Sequence, residues 1–543
     1  MKKYIFIIAT VAWVAVSCSK ELDVTPPNAI INEQVLQLLE TADDATRETI
    51  LGGMAASLPL MITRPVPGSG SLDYRNYHYT GMAVMRGFEG NDMVFGNNTA
   101  TSAIFGVDEY RWVSVQSATG FTQFYWRQGY DMITAANKVL AYLPDNIVGD
   151  NTALKIFRAQ ALFIRAFGYN FLLENYQDAY VSGGGSKPGV PIYTVFDPTQ
   201  PYQARASLDE CYKLINDDLN KAIQDLGDGY FTDTKNDIDV GVAYFLRARV
   251  ALCMGNWAQA ITDCQKIITQ YAEAFMSEAQ YVAQKQEVES TDGAVEDHYY
   301  AVNSGFLDLT KNPETILGFF YTDGTAAAQS YWLNNYGTTQ QGSTRGFNVQ
   351  IDLRLYNQIA AEDYRKNNFV GSTGAGQYKY ADGMSQLIMP YANLKFASTV
   401  GKTGGTNPTQ AAATNNQNDW TLMRLSEVYL MMAEAQAKSG NESAAKATLD
   451  KLIGARTNGA YNTDTYPSHA GLSTLQRIQL QTRIEMWGEK GLEFYNNRRW
   501  GIPVNRSGSA TNHWYELTIP VAEMTIQIPL QSITLNGLLE QNP

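Results

Sequence analysis

Cysteine and histidine are scarce in this chain, four of each among 543 residues. The cysteines (18, 211, 253, 264) form no CxxC pair and the histidines (78, 298, 469, 513) are scattered, so a structural zinc site and a disulfide framework are both excluded. A bridge between Cys253 and Cys264 stays open, although both fall in apolar helical patterns, where cysteine acts as a small buried hydrophobe. G-x-S-x-G and H-E-x-x-H are absent, and no histidine has a catalytic setting, so nothing here marks an enzyme. Basic charge is in deficit: 41 Lys and Arg against 54 Asp and Glu leave a formal net charge of −13, which repels polyanions and argues against nucleic acid as a partner. Proline- or serine-rich linkers are missing too, which favours one large body over a string of domains. No apolar run is long enough to span a bilayer, and the one at residues 4–16 is too short.

That short run follows Lys2-Lys3 and ends in Ala15-Val16-Ser17-Cys18, the layout of a secretory signal. The junction resembles a bacterial lipobox, with alanine where leucine is commoner, and places a lipid on Cys18. The alternative is an ordinary signal peptide with a chance cysteine. Residues 1–17 are then the signal peptide and 18–32, with Pro26-Pro27, a lipidated tether.

Aromatics and helical periodicity are plentiful. In 242–271, Trp257, Ala260, Ile261, Cys264, Ile267, Ile268 and Tyr271 share one helix face, while the preceding helix is apolar nearly all round. Gly255-Asn256 joins the two, glycine closing one helix and asparagine capping the next. The arrangement recurs in 422–456, with Gly440-Asn441 at the turn and Ala445 where the first copy has Ala260. Small residues at such crossings fit the helix-turn-helix of tetratricopeptide repeats. Residues 33–61, 124–143, 154–176, 208–226 and 472–488 are also helical. Trp126 and Trp257 read as core, and Arg498, Arg499, Trp487 and Trp500 as packing and ion-pairing groups.

Other stretches lose the period. Residues 74–112 mix aromatics, Asn, Asp, Arg and Gly and read as loop, as does much of 273–418. Gly401-Lys402-Thr403 lacks the first glycine of a phosphate loop, and Asp233, Asn236, Asp237 and Asp239 lack an EF-hand's spacing and read as helix capping. Sugars offer flat C–H faces for aromatic rings and hydroxyl rims for Asn, Asp, Gln or Arg. Two segments supply both: Arg86, Asn91, Asp92 and Trp112 in the first, and Tyr331, Trp332, Tyr336 and Arg345, with Asn334 and Asn335, in the second. These are the candidate ligand-binding residues. No catalytic, metal or cofactor residue is assigned.

Six segments in order, the lipobox, LKIFRAQALFIRAFGYNFLLENY, MGNWAQAI, DWTLMRLSEVYLMMAEAQAKSG, RIEMWGEKGLEFYNNRRWG and IPLQSITLN, resemble the SusD/RagB-like outer-membrane lipoproteins. Tyr495-Asn496-Asn497 departs from the family's more apolar and acidic run. The resemblance implies a mostly α-helical SusD-like fold, a single domain over 33–543, with four tetratricopeptide-like hairpins (about 124–176, 208–271, 420–456 and 472–490) against a loop-rich ligand lobe (about 65–120 and 273–418). It further implies a non-catalytic lipoprotein, anchored on the outer face of the outer membrane, that captures oligosaccharide and loads a SusC-like TonB-dependent transporter. A RagB-type peptide binder and a repeat scaffold that binds only protein are the alternatives. Labelled fatty acid is expected to enter the wild type and not Cys18→Ala; equal labelling of both, with both at the membrane, would overturn the assignment of Cys18.

Overall fold

The turn at Gly255-Asn256 forms as its sequence requires. The preceding helix ends on Gly255 in the left-handed conformation (φ 76°), and Asn256 accepts a hydrogen bond from the Gln259 amide to open the next. Gly440 (φ 84°) and Asn441, accepting from the Ala444 amide, repeat the device. The acidic run before Val242 caps a helix: Asp239 accepts from the Val242 amide. A computed structural model describes residues 32–63, 78–94, 107–197, 199–282, 284–289, 295–300, 305–306, 308–320, 349–372, 390–396 and 419–542. Cys18, Tyr331, Trp332, Tyr336 and Arg345 lie outside the described residues.

The fold is mostly helical. Two helices, α1 (Asn32–Thr41) and α2 (Asp44–Ala55), precede α3 (His78–Glu89). The repeat side comprises α4 (Gly120–Leu140), α5 (Thr152–Tyr176), α6 (Leu208–Leu226), α7 (Val240–Met254), α8 (Trp257–Tyr271), α9 (Leu425–Lys438), α10 (Glu442–Arg456) and α11 (Thr474–Glu485). Each packs on the next from α4 through α10, and α11 returns to α9. The two sequence copies, α7/α8 and α9/α10, are therefore neighbours, although a long insertion separates them in the chain. Tyr429 of α9 donates to the Ala272 carbonyl at the end of α8 (3.1 Å), and its ring lies 4.9 Å from that of Phe275. The span 208–271 holds three helices, with a loop at 227–239 between the first and the second.

Most of the apolar faces meet in one large core, which includes Trp126, Phe163, Phe167, Phe245, Ala248, Ala260 and Val428. Trp257 is only partly buried, with the Lys438 ammonium 6.0 Å from its ring centre, so its truncation exposes less than a core tryptophan's would. Cys211, Cys253 and Cys264 are free thiols, so the 253–264 bridge is not made. Among the described residues no helix is long and apolar enough to cross a membrane.

Short strand pairs fasten the insertion. β1 (Met93–Val94) pairs antiparallel with β5 (Gln350–Ile351), β2 (Gln284–Glu289) with β3 (Val295–Tyr300), and β4 (Thr315–Phe319) with β6 (Trp420–Arg424). The last pair closes the base of the insertion where the chain re-enters the helical stack. A further pair, β7 (Val504–Asn505) with β8 (Thr518–Ile519), follows α12 (Leu492–Trp500), and α13 (Leu530–Leu535) lies near the end. Residues 78–89 form a helix where the sequence pattern reads as loop. Helical glycine costs about 1 kcal/mol relative to alanine, but here tertiary packing outweighs it. A Cβ on Gly87 would stand 2.6 Å from the Met93 sulfur, and Gly491, at φ 63° ahead of α12, would drive one to 2.3 Å from the Ala83 carbonyl. The glycines let α3 and the start of α12 approach.

Beneath the insertion lies a buried ion network. The Arg424 guanidinium binds Glu314 (2.9 Å), Glu485 (2.7 Å) and Glu489 (2.8 Å), and Arg456 binds Glu314 (2.6 Å) and Glu485 (2.8 Å). Arg365 reaches Glu485 at 3.1 Å, and Lys395 reaches Glu489 at 2.6 Å. Burial alone would raise both carboxyls, but the surrounding cations reverse this. Arg456, Arg424 and Arg365 hold Glu485 well below the carboxylate range, and Arg424 and Lys395 hold Glu489 at about 2. Because these folded pKa values lie below the unfolded ones, the stabilisation is complete above about pH 4.5 and is lost as pH falls toward 2. The urea midpoint is expected to fall across that interval. Glu485→Ala, which removes the carboxylate shared by three buried cations, is expected to cost about 3–5 kcal/mol at neutral pH; a midpoint flat between pH 5 and 2.5 would contradict the network's role.

Candidate functional site

Arg86, Asn91, Asp92 and Trp112, the residues of the first candidate segment, are placed inside the body. Arg86 pairs with Glu89 one turn along α3 and lies 4.1 Å under the Phe494 ring. Asn91 donates from its amide side chain to the Pro503 carbonyl (3.2 Å) and accepts from the Asn505 amide (2.7 Å). Asp92 accepts from both ends of the Arg483 guanidinium, one contact being 2.9 Å. The Trp112 indole donates to the Glu89 carbonyl at 3.1 Å and packs 6.0 Å from Phe494. All four are buried. The sequence reads these as sugar-type side chains on a loop, and the structure buries them, because Glu89 close by and Arg483, Phe494, Pro503 and Asn505 far along the chain pack and pair with them.

The end of the chain holds this segment in place. Arg506 donates to the carbonyls of Phe88 (2.5 Å) and Gly90 (2.9 Å), and Trp487 donates to that of Asp92 (2.9 Å). His513 is buried between the Tyr110 hydroxyl (2.6 Å) and Asp352 (3.2 Å), and burial pushes its pKa down. Glu493 accepts from the Asn91 amide at 3.1 Å, and burial beside Asp92 raises its carboxyl to about 8. The signature residues pair and pack as their sequence suggests: Arg499 and Trp500 both bind Glu434, and Arg498 donates to the Glu174 and Gln177 carbonyls. A small cavity of about 50 Å³ beside them is lined by paired charges, among them Arg249, Glu427 and Glu434.

A larger and open cleft, about 450 Å³, lies elsewhere, on the repeat side. One wall is α4, with Trp126, Arg127, Tyr130 and Asp131. The facing wall is the connection from α5 to α6, with Tyr193, Phe196, Asp197, Gln200 and Tyr202, and the floor includes Leu535, Asn536 and Leu539 near the end of the chain. The connection is braced from below. Tyr169 donates to the Tyr193 carbonyl (2.9 Å) and accepts from its amide (2.7 Å), and Asn137 donates to the same carbonyl (2.9 Å). The Tyr130 hydroxyl donates to the Pro191 carbonyl (2.9 Å), and that of Tyr193 accepts from the Gln203 amide (3.0 Å). Helical periodicity in the sequence does not reveal this cleft, because Trp126 lies on an apolar helix face and is itself buried in the core. Its signal is the run VPIYTVFDPTQPY, in which aromatics recur in a proline-rich, non-helical stretch.

A stack of paired helices that carries an insertion and an aromatic-walled cleft defines a binding scaffold. The chain belongs to the SusD family: residues 272–543 match that family, and residues 76–252 match the family described as starch-binding associating with outer membrane. Among solved structures it is similar to a SusD-like carbohydrate-binding protein from Bacteroides vulgatus, with 22% identity, a TM-score of 0.69, and 91% of this chain and 97% of that one covered. A SusD superfamily protein from Bacteroides thetaiotaomicron matches at 18% identity and a TM-score of 0.68, over 91% and 99% of the two chains. A laminarin-binding SusD-like protein matches at 18% identity and a TM-score of 0.62, over 92% and 99%. At these identities the likeness to solved structures establishes the fold. No curated protein matches the chain.

Trp112→Ala is expected to lower stability by about 3–5 kcal/mol, the cost of removing a buried tryptophan, measured by denaturant unfolding. A variant as stable as wild type but without ligand binding would show that the ring serves the ligand instead.

Proposed function

We propose that the protein is a cell-surface glycan-binding lipoprotein that captures oligosaccharide and delivers it to a SusC-like TonB-dependent transporter without chemical turnover. Family membership carries this reading, since matches to the SusD and starch-binding families together take in most of the chain after residue 75. Lipidation at Cys18 would hold the protein at the outer membrane, and acyl chains beyond the first make such anchoring stable. The helical stack is the scaffold. Tyr331, Trp332, Tyr336 and Arg345 are the proposed ligand contacts, in a Gly- and Asn-rich segment of the insertion. Arg86, Asn91, Asp92 and Trp112 are buried and pack against residues 483–505.

A ring stacked on a base is worth about 1–3 kcal/mol, and a sugar face, with weaker π character, falls at the lower end. Trp332→Ala is therefore expected to weaken binding of the best ligand from a glycan array by about tenfold, which is about 1.4 kcal/mol. The melting temperature should hardly change. Lost stability with unchanged affinity would make the ring structural, and binding confined to a peptide library would replace the glycan with a peptide.

A further inference from the structure

We propose that the cleft between α4 and the α5–α6 connection is a second glycan site, selective for neutral oligosaccharide, in addition to the contacts proposed at Tyr331, Trp332, Tyr336 and Arg345. The inference rests on the reading of the protein as a glycan binder. Its volume, about 450 Å³, falls within the roughly 300–1,000 Å³ of small-ligand pockets. Its walls supply the two chemistries that a sugar needs, ring faces for C–H surfaces and amide or charged groups for hydroxyls.

The rings are positioned before any ligand arrives. Tyr130 and Tyr193 meet edge to face with centroids 6.0 Å apart, and Trp126 lies 5.0 Å from Tyr130. Because the Tyr130 and Tyr193 hydroxyls are bound to the protein's own backbone, the rings cannot turn away, and little side-chain entropy is lost when a ligand binds. Tyr202 at the mouth is 57% exposed, and Val195 and Leu535 beside it are 61% and 60% exposed. These apolar surfaces stay in water until something covers them.

The charged groups select the class of sugar. Arg127, Asp131 and Asp197 line the cleft and the Lys138 ammonium stands 5.9 Å from the Phe196 ring, so no excess of positive charge awaits a uronate or sulfated sugar, whereas neutral hydroxyls find both donors and acceptors. Among the described residues no hydrogen bond or ion pair engages Arg127, which leaves its donors for a ligand. Gln200, on the opposite wall, adds an amide.

The test is titration of the purified protein by calorimetry with maltoheptaose, laminarihexaose, cellohexaose, mannohexaose and xylohexaose, and with a polygalacturonate oligomer as the anionic comparison. Wild type, Tyr202→Ala, Arg127→Ala and Trp332→Ala are compared. Tyr202 is exposed enough for its truncation to leave the melting temperature unchanged, which is checked first. The expected result is that wild type takes a neutral oligosaccharide at two sites. Tyr202→Ala and Arg127→Ala weaken one site about tenfold, Trp332→Ala weakens the other, and the anionic oligomer does not bind in the cleft. Glycan binding that is intact in both cleft variants overturns the second site while leaving the glycan-binding reading in place. Tighter binding of the anionic oligomer in the cleft overturns the selectivity. Unchanged glycan binding with lost association with the transporter makes the cleft a protein-docking surface and also overturns the proposal. Absence of binding to every neutral oligosaccharide by wild type overturns both readings together.

Discussion

The structure depends on the buried carboxylate of Glu485, around which Arg365, Arg424 and Arg456 converge. These groups come from distant parts of the chain: Glu485 ends α11, Arg456 ends α10, Arg424 closes β6 as the chain re-enters the stack, and Arg365 belongs to the insertion. Burying so many charges is costly, and a well-packed apolar cluster of the same volume would often be as stable. The arrangement instead demands one register. If β6 met β4 one residue out of step, the Arg424 guanidinium would leave its three carboxylates and strand charges in a dry interior.

That constraint explains how a repeat stack tolerates so long an insertion. The chain departs after α8 and returns at α9, yet α8 and α9 pack as if consecutive. Closing a loop costs entropy that grows only slowly with its length, so the insertion is affordable once its base is clamped. The β4–β6 pair and the ion network provide the clamp. A second clamp joins the 78–94 segment to the insertion through β1 and β5, and Arg506 and Trp487 fasten it to the last third of the chain.

The insertion and the aromatic cleft have different supports. The base of the insertion is held by charge. The aromatic cleft belongs to the first helices of the stack and is held by hydrogen bonds that join Tyr193 to Tyr169 and Asn137, and Tyr130 to Pro191. The groups that hold the one take no part in holding the other.

The sequence by itself determined what depends on neighbours along the chain. Helical periodicity, the Gly255-Asn256 and Gly440-Asn441 turns and the Asp239 cap are set by residues within a few positions of one another, and ordered motifs along the chain identify the family. Only the tertiary structure decided where polar and aromatic residues outside that period would go. Arg86, Asn91 and Asp92 are sugar-type side chains, but Arg483, Phe494, Pro503 and Asn505 draw them inward, and no local pattern encodes that contact. The helix at 78–89 escapes its glycines' poor propensity for the same reason, since the cost is local and the compensating contacts are distant. Trp126 lies on an apolar helix face and is buried, yet it also walls a cleft, because the facing connection, distant in the chain, is held opposite it by hydrogen bonds from Tyr130 and Asn137 of α4 and Tyr169 of α5. Periodicity shows which face a helix turns inward, and it leaves undetermined which other segment will stand opposite.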